Sequence, residues 1–133
     1  MIPFEFTIKG PPLSQQASSR SKRRWKAAVA AAARLVVPAA AVPTADEVAI
    51  SIAYYYEGDT PDVDNIVKPI QDALIGIVYV DDNQVVQSKS SKSKIDGSYR
   101  IDGASRLLLL GFADKDPFLH IRVTEPPDFG DLR

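Results

Sequence analysis

Three segments of this chain alternate apolar and polar residues with the two-residue period of a half-buried strand, and this limits the fold more than any other feature. In residues 2–9, Ile2, Phe4, Phe6 and Ile8 share one face, and Pro3, Glu5, Thr7 and Lys9 the other. In residues 47–56, Val48, Ile50, Ile52, Tyr54 and Tyr56 stand opposite Glu47, Ala49, Ser51, Ala53 and Tyr55. In residues 117–124, Leu119, Ile121 and Val123 are expected inward, with Phe118, His120 and Arg122 outward. A fourth strand is expected over 84–92, carrying Val85 and Val86. It follows a short apolar, β-prone stretch at 77–80 and a turn at Asp81-Asp82-Asn83.

Helical periodicity fills the intervals. Trp25, Val29, Ala32 and Val36 form an apolar stripe predicting a helix over about 20–37, closed by Pro38. Ser18, Ser19 and Ser21 sit where a helix cap belongs. A shorter helix is expected over 64–75, ended near Gly76, with Pro69 in or near its first turn, where a missing N–H costs least. In the glycine-punctuated stretch 95–116, Leu107 to Leu110 suit either helix or strand, and a third helix is preferred at 103–113. The resulting order β-α-β-α-β-α-β predicts an α+β domain, one mixed β-sheet flanked by helices. The domain is drawn over residues 1–125, with an irregular tail at 126–133.

Composition removes several function classes. The chain has no cysteine and one histidine, so thiolate and His-rich metal sites are excluded. No stretch reaches the ~18 apolar residues of a membrane span, and the N-terminus lacks the pattern of a signal peptide. A cytoplasmic protein with no membrane partner is the expectation. The formal net charge of −1 argues against coating nucleic acid by bulk charge. The charge is nevertheless segregated. Arg20, Lys22, Arg23, Arg24 and Lys26 cluster in one run, and Lys89, Lys92 and Lys94 form a second group. The acids concentrate at 57–64, 81–82 and 114–131.

The segment Asp62-Val63-Asp64-Asn65-Ile66-Val67-Lys68, followed by Asp72 and Asp81-Asp82-Asn83-Gln84, carries the chemical signal. In extended backbone Asp62 and Asp64 project to one side, and their mutual repulsion is relieved by a hard divalent cation. Asp82 is placed to supply a third ligand. Lys68 lies four residues after Asp64 and Asp72 four after Lys68, so all three share one helical face. Lys68 is then available to a phosphate, with Asp72 holding it by an ion pair. The competing reading is a helix cap with a solvated charge at Asp62 and Asp64, and a plain turn at Asp81–Asn83. The spacing excludes an EF-hand loop.

The same residues resemble the RusA family of Holliday junction resolvases. The order Asp-x-Asp-Asn, a lysine three residues later, Asp-Ala-Leu, then Asp-Asp-x-Gln-Val is met by Asp62, Asp64, Asn65, Lys68, Asp72-Ala73-Leu74 and Asp81-Asp82-Asn83-Gln84-Val85. Gly10-Pro11-Pro12-Leu13-Ser14-Gln15-Gln16 is similar to the family's loop after its first strand. The resemblance covers residues 2–94 and the terminal strand at 117–124. It implies a homodimeric, Mg²⁺-dependent endonuclease, with Mn²⁺ as substitute, acting on branched DNA such as the four-way junction. It assigns Asp62, Asp64 and Asp82 as catalytic metal ligands and Lys68 as the essential lysine, with Asn65, Asp72 and Asp81 supporting.

Beside such a motif, Arg20, Lys22, Arg23, Arg24 and Lys26 become candidate DNA contacts, and Lys89 and Lys92 are equally read as DNA contacts or as charges protecting an edge strand. Tyr54 and Tyr56 are expected in the core or at a dimer interface. Tyr55 is a minor candidate for base stacking, and His120 is expected at the surface without a catalytic role. Two alternatives share much of this pattern: a less selective nuclease for flaps or forks, and a junction-binding module that does not cut.

Overall fold

The computed structural model describes residues 2–10, 12, 18–57, 64–94, 106–113 and 116–127, without the side chains of residues 64, 65, 106, 107, 109 and 113. Four strands, β1 (Phe4–Lys9), β2 (Val48–Tyr56), β3 (Val85–Lys94) and β4 (Phe118–Thr124), form one sheet in the order β1-β4-β2-β3. β4 pairs antiparallel with both β1 and β2, whereas β2 and β3 run parallel. The helices are α1 (Ser19–Val36), α2 (Asp64–Ala73) and α3 (Arg106–Ala113). The sheet is mixed and the fold α+β, as expected. No helix among the described residues is long and apolar enough to cross a membrane.

The alternation read in the sequence becomes the core. Phe4 and Phe6 of β1, Val48, Ile50, Ile52 and Tyr54 of β2, and Leu119, Ile121 and Val123 of β4 are all buried in one cluster. α1 covers this face with Trp25, Val29 and Ala33, and α2 with Ile66, Ile70 and Ala73. Each large apolar side chain so buried contributes roughly 1.5–3 kcal/mol relative to exposure. α1 starts at an N-cap, Ser18, whose hydroxyl accepts from the Ser21 amide at 3.1 Å. This is the capping role expected of the serine run.

The structure corrects several expectations. The buried stripe of α1 steps by four residues through Ala33, so Ala32 is only partly covered, and Val36 is 42% exposed at the fraying end. Pro69 lies inside α2, a full turn beyond Asp64 and not in the first turn. Residues 77–80, read only as apolar and β-prone, lie outside the four-stranded sheet. After Gly76, whose φ of +83° favours glycine, Tyr79 makes only isolated bridges to Thr44 and Ile75. Ile77, Val78 and Tyr79 are nonetheless buried, so burial without a neighbouring edge explains the apolar run.

Phe118 is buried on the sheet's second face, because α3 covers that end. Tyr55, Phe112 and Phe118 stack there, with ring centroids 4.6 to 5.3 Å apart. Tyr55 is therefore engaged in packing rather than offered to a base. His120 is not a free surface group. Its Nε2 lies 2.6 Å from the Glu5 carboxylate, and its side chain is 14% exposed. Residues 103–105 of the expected third helix and residues 128–133 of the expected tail lie outside the described residues.

Candidate active site

A parallel pair such as β2/β3 requires the chain to cross from the end of one strand to the start of the next. α2 makes that crossing, and the acidic motif occupies the connection. Asp64 opens α2, Lys68 follows one turn later, Asp72 another, and Asp82 begins a short 3-10 turn, Asp82–Gln84, that leads directly into β3. Residues 62 and 82, distant in sequence, thus belong to the two ends of a single connection.

The centre of the described arrangement is Lys68. Its Nζ donates to Asp72 Oδ1 at 2.9 Å and to Asp82 Oδ2 at 3.2 Å. The ion pair expected between Lys68 and Asp72 is present, and the lysine also reaches Asp82. Hydrogen bonds to Asp72 and then Asp82 raise the Lys68 pKa above its ordinary value. Hydrogen bonding with the adjacent Asp81 carboxyl, followed by the Lys68 ammonium, holds Asp82 below the usual carboxylate range. Asp82 is therefore ionised at neutral pH. Lys68 and Asp82 are half exposed, so both remain accessible to a ligand.

Neighbouring groups, some of them buried, support the pair. Tyr79 is fully buried, and its hydroxyl donates to the Gln71 backbone carbonyl at 2.5 Å. Burial, reinforced by the nearby charges of Asp72 and Asp82, pushes its pKa up strongly, so it remains a neutral donor. The Gln71 side chain donates to the Ser88 hydroxyl, tying α2 to β3. Ile66, Ile70 and Ala73 anchor the opposite face of α2 in the core, continued by Leu74 just beyond its end.

Gln84 is a residue whose importance sequence reasoning missed. Its Oε1 accepts from the amides of Val80 and Asp81 at 2.8 and 2.9 Å. Its Nε2 donates to the carbonyls of Thr44 and Asp46 at 2.8 and 2.7 Å. The motif's glutamine was visible in sequence, but not that its partners would be backbone atoms some forty residues earlier.

The basic run divides. Lys22, Arg23 and Lys26 line a groove of about 280 Å³ together with Lys68, Pro69 and Asp72 of α2. Arg20 and Arg24 are exposed on α1 outside that lining. Lys92 pairs with Tyr54 in the β2/β3 register and so belongs to the helix-covered face of the sheet. Lys89 pairs with Ser51 and belongs to the other face, where it lines a separate cavity of about 680 Å³ with Ser51, Ala53, Ser91 and His120. Asp62 lies outside the described residues, as do the side chains of Asp64 and Asn65. Among the described residues no cluster of three acids or histidines forms a metal cage.

The chain matches the family model of endodeoxyribonuclease RusA over residues 9–101, well over half its length. It belongs to the RusA family. The match contains α1, β2, α2 and β3 entire, hence the basic groove, Lys68, Asp72, Asp82 and Gln84. No match was found among curated proteins. RusA proteins are endodeoxyribonucleases that resolve Holliday junctions, and membership supports nuclease activity for this chain.

Proposed function

We propose that this RusA-family chain is a Mg²⁺-dependent homodimeric endonuclease that resolves four-way DNA junctions in the cytoplasm, with Asp62, Asp64 and Asp82 as metal ligands. The observation that carries the reading is the Lys68 bridge to Asp72 and Asp82 within the connection that also bears Asp62 and Asp64. The donor chemistry fits a hard cation. The motif offers carboxylate oxygens only, the chain has no thiol, and its one histidine lies on the sheet's other face beside Glu5.

When bound, the metal would polarise the phosphate and lower the pKa of a bound water. The chain's own residues do the rest. Asp82, held ionised, supplies negative charge at neutral pH. Lys68 meets the charge that builds on the phosphate oxygens as the bond breaks. Asp72 keeps the ammonium from swinging into solvent. Asn65 and Asp81 support the ligands beside them in sequence. Lys22, Arg23 and Lys26 bind the DNA backbone approaching along α1, with Arg20, Arg24 and Lys92 contributing longer-range attraction. Lys89, on the opposite face, is left out of this contact set. A twofold dimer presents two equivalent sites to a twofold junction, so paired symmetric cuts follow from symmetry.

The test is cleavage of a synthetic four-way junction with and without Mg²⁺ or Mn²⁺. Paired cuts that require metal are expected. Asp64→Asn should abolish cutting while leaving junction binding intact. Cutting in a chelator, or full cutting by Asp64→Asn, would contradict the reading.

A further inference from the structure

Asp82 opens a three-residue turn, and the hydrogen bond of its half-exposed side chain to Lys68 links that turn to α2. The carboxamide of its last residue, Gln84, ties the turn to a distant segment. Gln84 uses both donors and its acceptor on four backbone groups: it accepts from Val80 N and Asp81 N, and donates to Thr44 O and Asp46 O. Three further backbone bonds surround it, the first crossing to the 44–46 linker and the other two local to residues 76–84. Thr44 N donates to Val78 O at 3.0 Å, Gly76 N to Tyr79 O at 2.7 Å, and Gln84 N to Asp81 O at 3.1 Å. Two segments far apart in sequence, the 44–46 linker before β2 and the 80–84 turn before β3, are joined mainly through this side chain.

We infer that Gln84 is a positioning residue for the metal site: its carboxamide orients the Asp81–Asp82 turn so that Asp82 faces Lys68 and α2. This rests on the metal-dependent reading above. Planarity makes the orientation specific. With the oxygen committed to two amides and the nitrogen to two carbonyls, the group has one satisfied orientation, and the backbone at 80–82 is fixed with it. The Asp82 Oδ2 to Lys68 Nζ contact at 3.2 Å is the consequence that reaches the site. The hydrogen bonds of the Gln84 side chain go to backbone groups and not to Lys68 or Asp72, so its effect on chemistry passes through the turn. Loss of such an outer partner typically costs about 10–100-fold in metal affinity.

The experiment measures Mn²⁺ affinity of the full-length protein without DNA, by the electron paramagnetic resonance signal of free Mn²⁺. Junction binding in a chelator and thermal midpoint are measured in parallel. Gln84→Met keeps length and removes all four bonds. Gln84→Asn keeps the amide but is one methylene short, and serves if the first variant folds poorly. Ile121→Val, in the sheet centre, is the control for stability loss alone. The expected result is a roughly 10-fold or greater weakening of Mn²⁺ binding in Gln84→Met and a smaller one in Gln84→Asn. Junction affinity should be unchanged, and Ile121→Val should leave Mn²⁺ binding as in the wild type. Wild-type Mn²⁺ affinity in both Gln84 variants, or equal weakening in Ile121→Val, would overturn the positioning role alone. A wild-type protein that takes up no Mn²⁺ would overturn the metal reading and this inference with it.

Discussion

Lys68 is where the site's electrostatics meet, since one ammonium bridges two carboxylates from different elements. Removing one such donor to a developing phosphate charge typically costs about 10²–10³ in rate. Lys68→Met should therefore lose cleavage on that scale while the protein stays folded, as a single-turnover assay beside a circular dichroism spectrum would show. The same pair sets a pH signature. Asp82 has a lowered pKa, so its stabilising effect is present above the unfolded value of 3.8 and lost as pH falls through the folded one. Lys68 has a raised pKa, so its effect is present below 10.5 and lost as pH rises through the folded value. The difference in thermal midpoint between wild type and Lys68→Met should be flat from about pH 5 to 9 and close at both extremes. A difference that varies across neutral pH would mean another group governs it. Both side chains are half exposed, so the difference itself is small.

At the scale of elements, α2 works as a platform because its far side is anchored. Ile70 is fully buried, and Ile70→Ala should cost about 2–5 kcal/mol in urea denaturation. α3 docks through close approach. A methyl group at Gly111 would lie 2.6 Å from Phe118 Cζ, so Gly111→Ala should cost about 1–3 kcal/mol and disturb the Tyr55–Phe112–Phe118 stack. Near-wild-type stability of either variant would show that the element is not held as described. These elements differ in how openly the sequence declared them. β1, β2, β4 and α1 announce themselves through periodicity, because each buries one face against solvent on the other. Phe118 and Tyr55 misled for a tertiary reason: an 8-residue helix late in the chain covers one end of the supposedly open face. The apolar character of the 77–80 run reports burial and not pairing. In the site, the Lys68–Asp72 bond was legible from i, i+4 spacing. The reach of Lys68 to Asp82 and the grip of Gln84 on residues 44 and 46 were not, since both depend on how the crossover folds back.

For the whole molecule, the net charge of −1 conceals a directed field. Lys22, Arg23 and Lys26 share a groove with Lys68, while Lys89 faces the other way. Replacing the three α1 cations by glutamine should weaken junction binding and lower the salt dependence by roughly one unit of slope per side chain. Lys89→Gln should leave the slope unchanged; titrations across a range of salt concentrations distinguish the outcomes. The most direct test of the central claim is a crystal structure of the protein with Mn²⁺, located by anomalous scattering. A peak is expected beside the Lys68–Asp72–Asp82 cluster, with oxygens of Asp62, Asp64 and Asp82 at ~2.1 Å from the ion. A peak lacking Asp82, or bound metal only on the Lys89–His120 face, would contradict it.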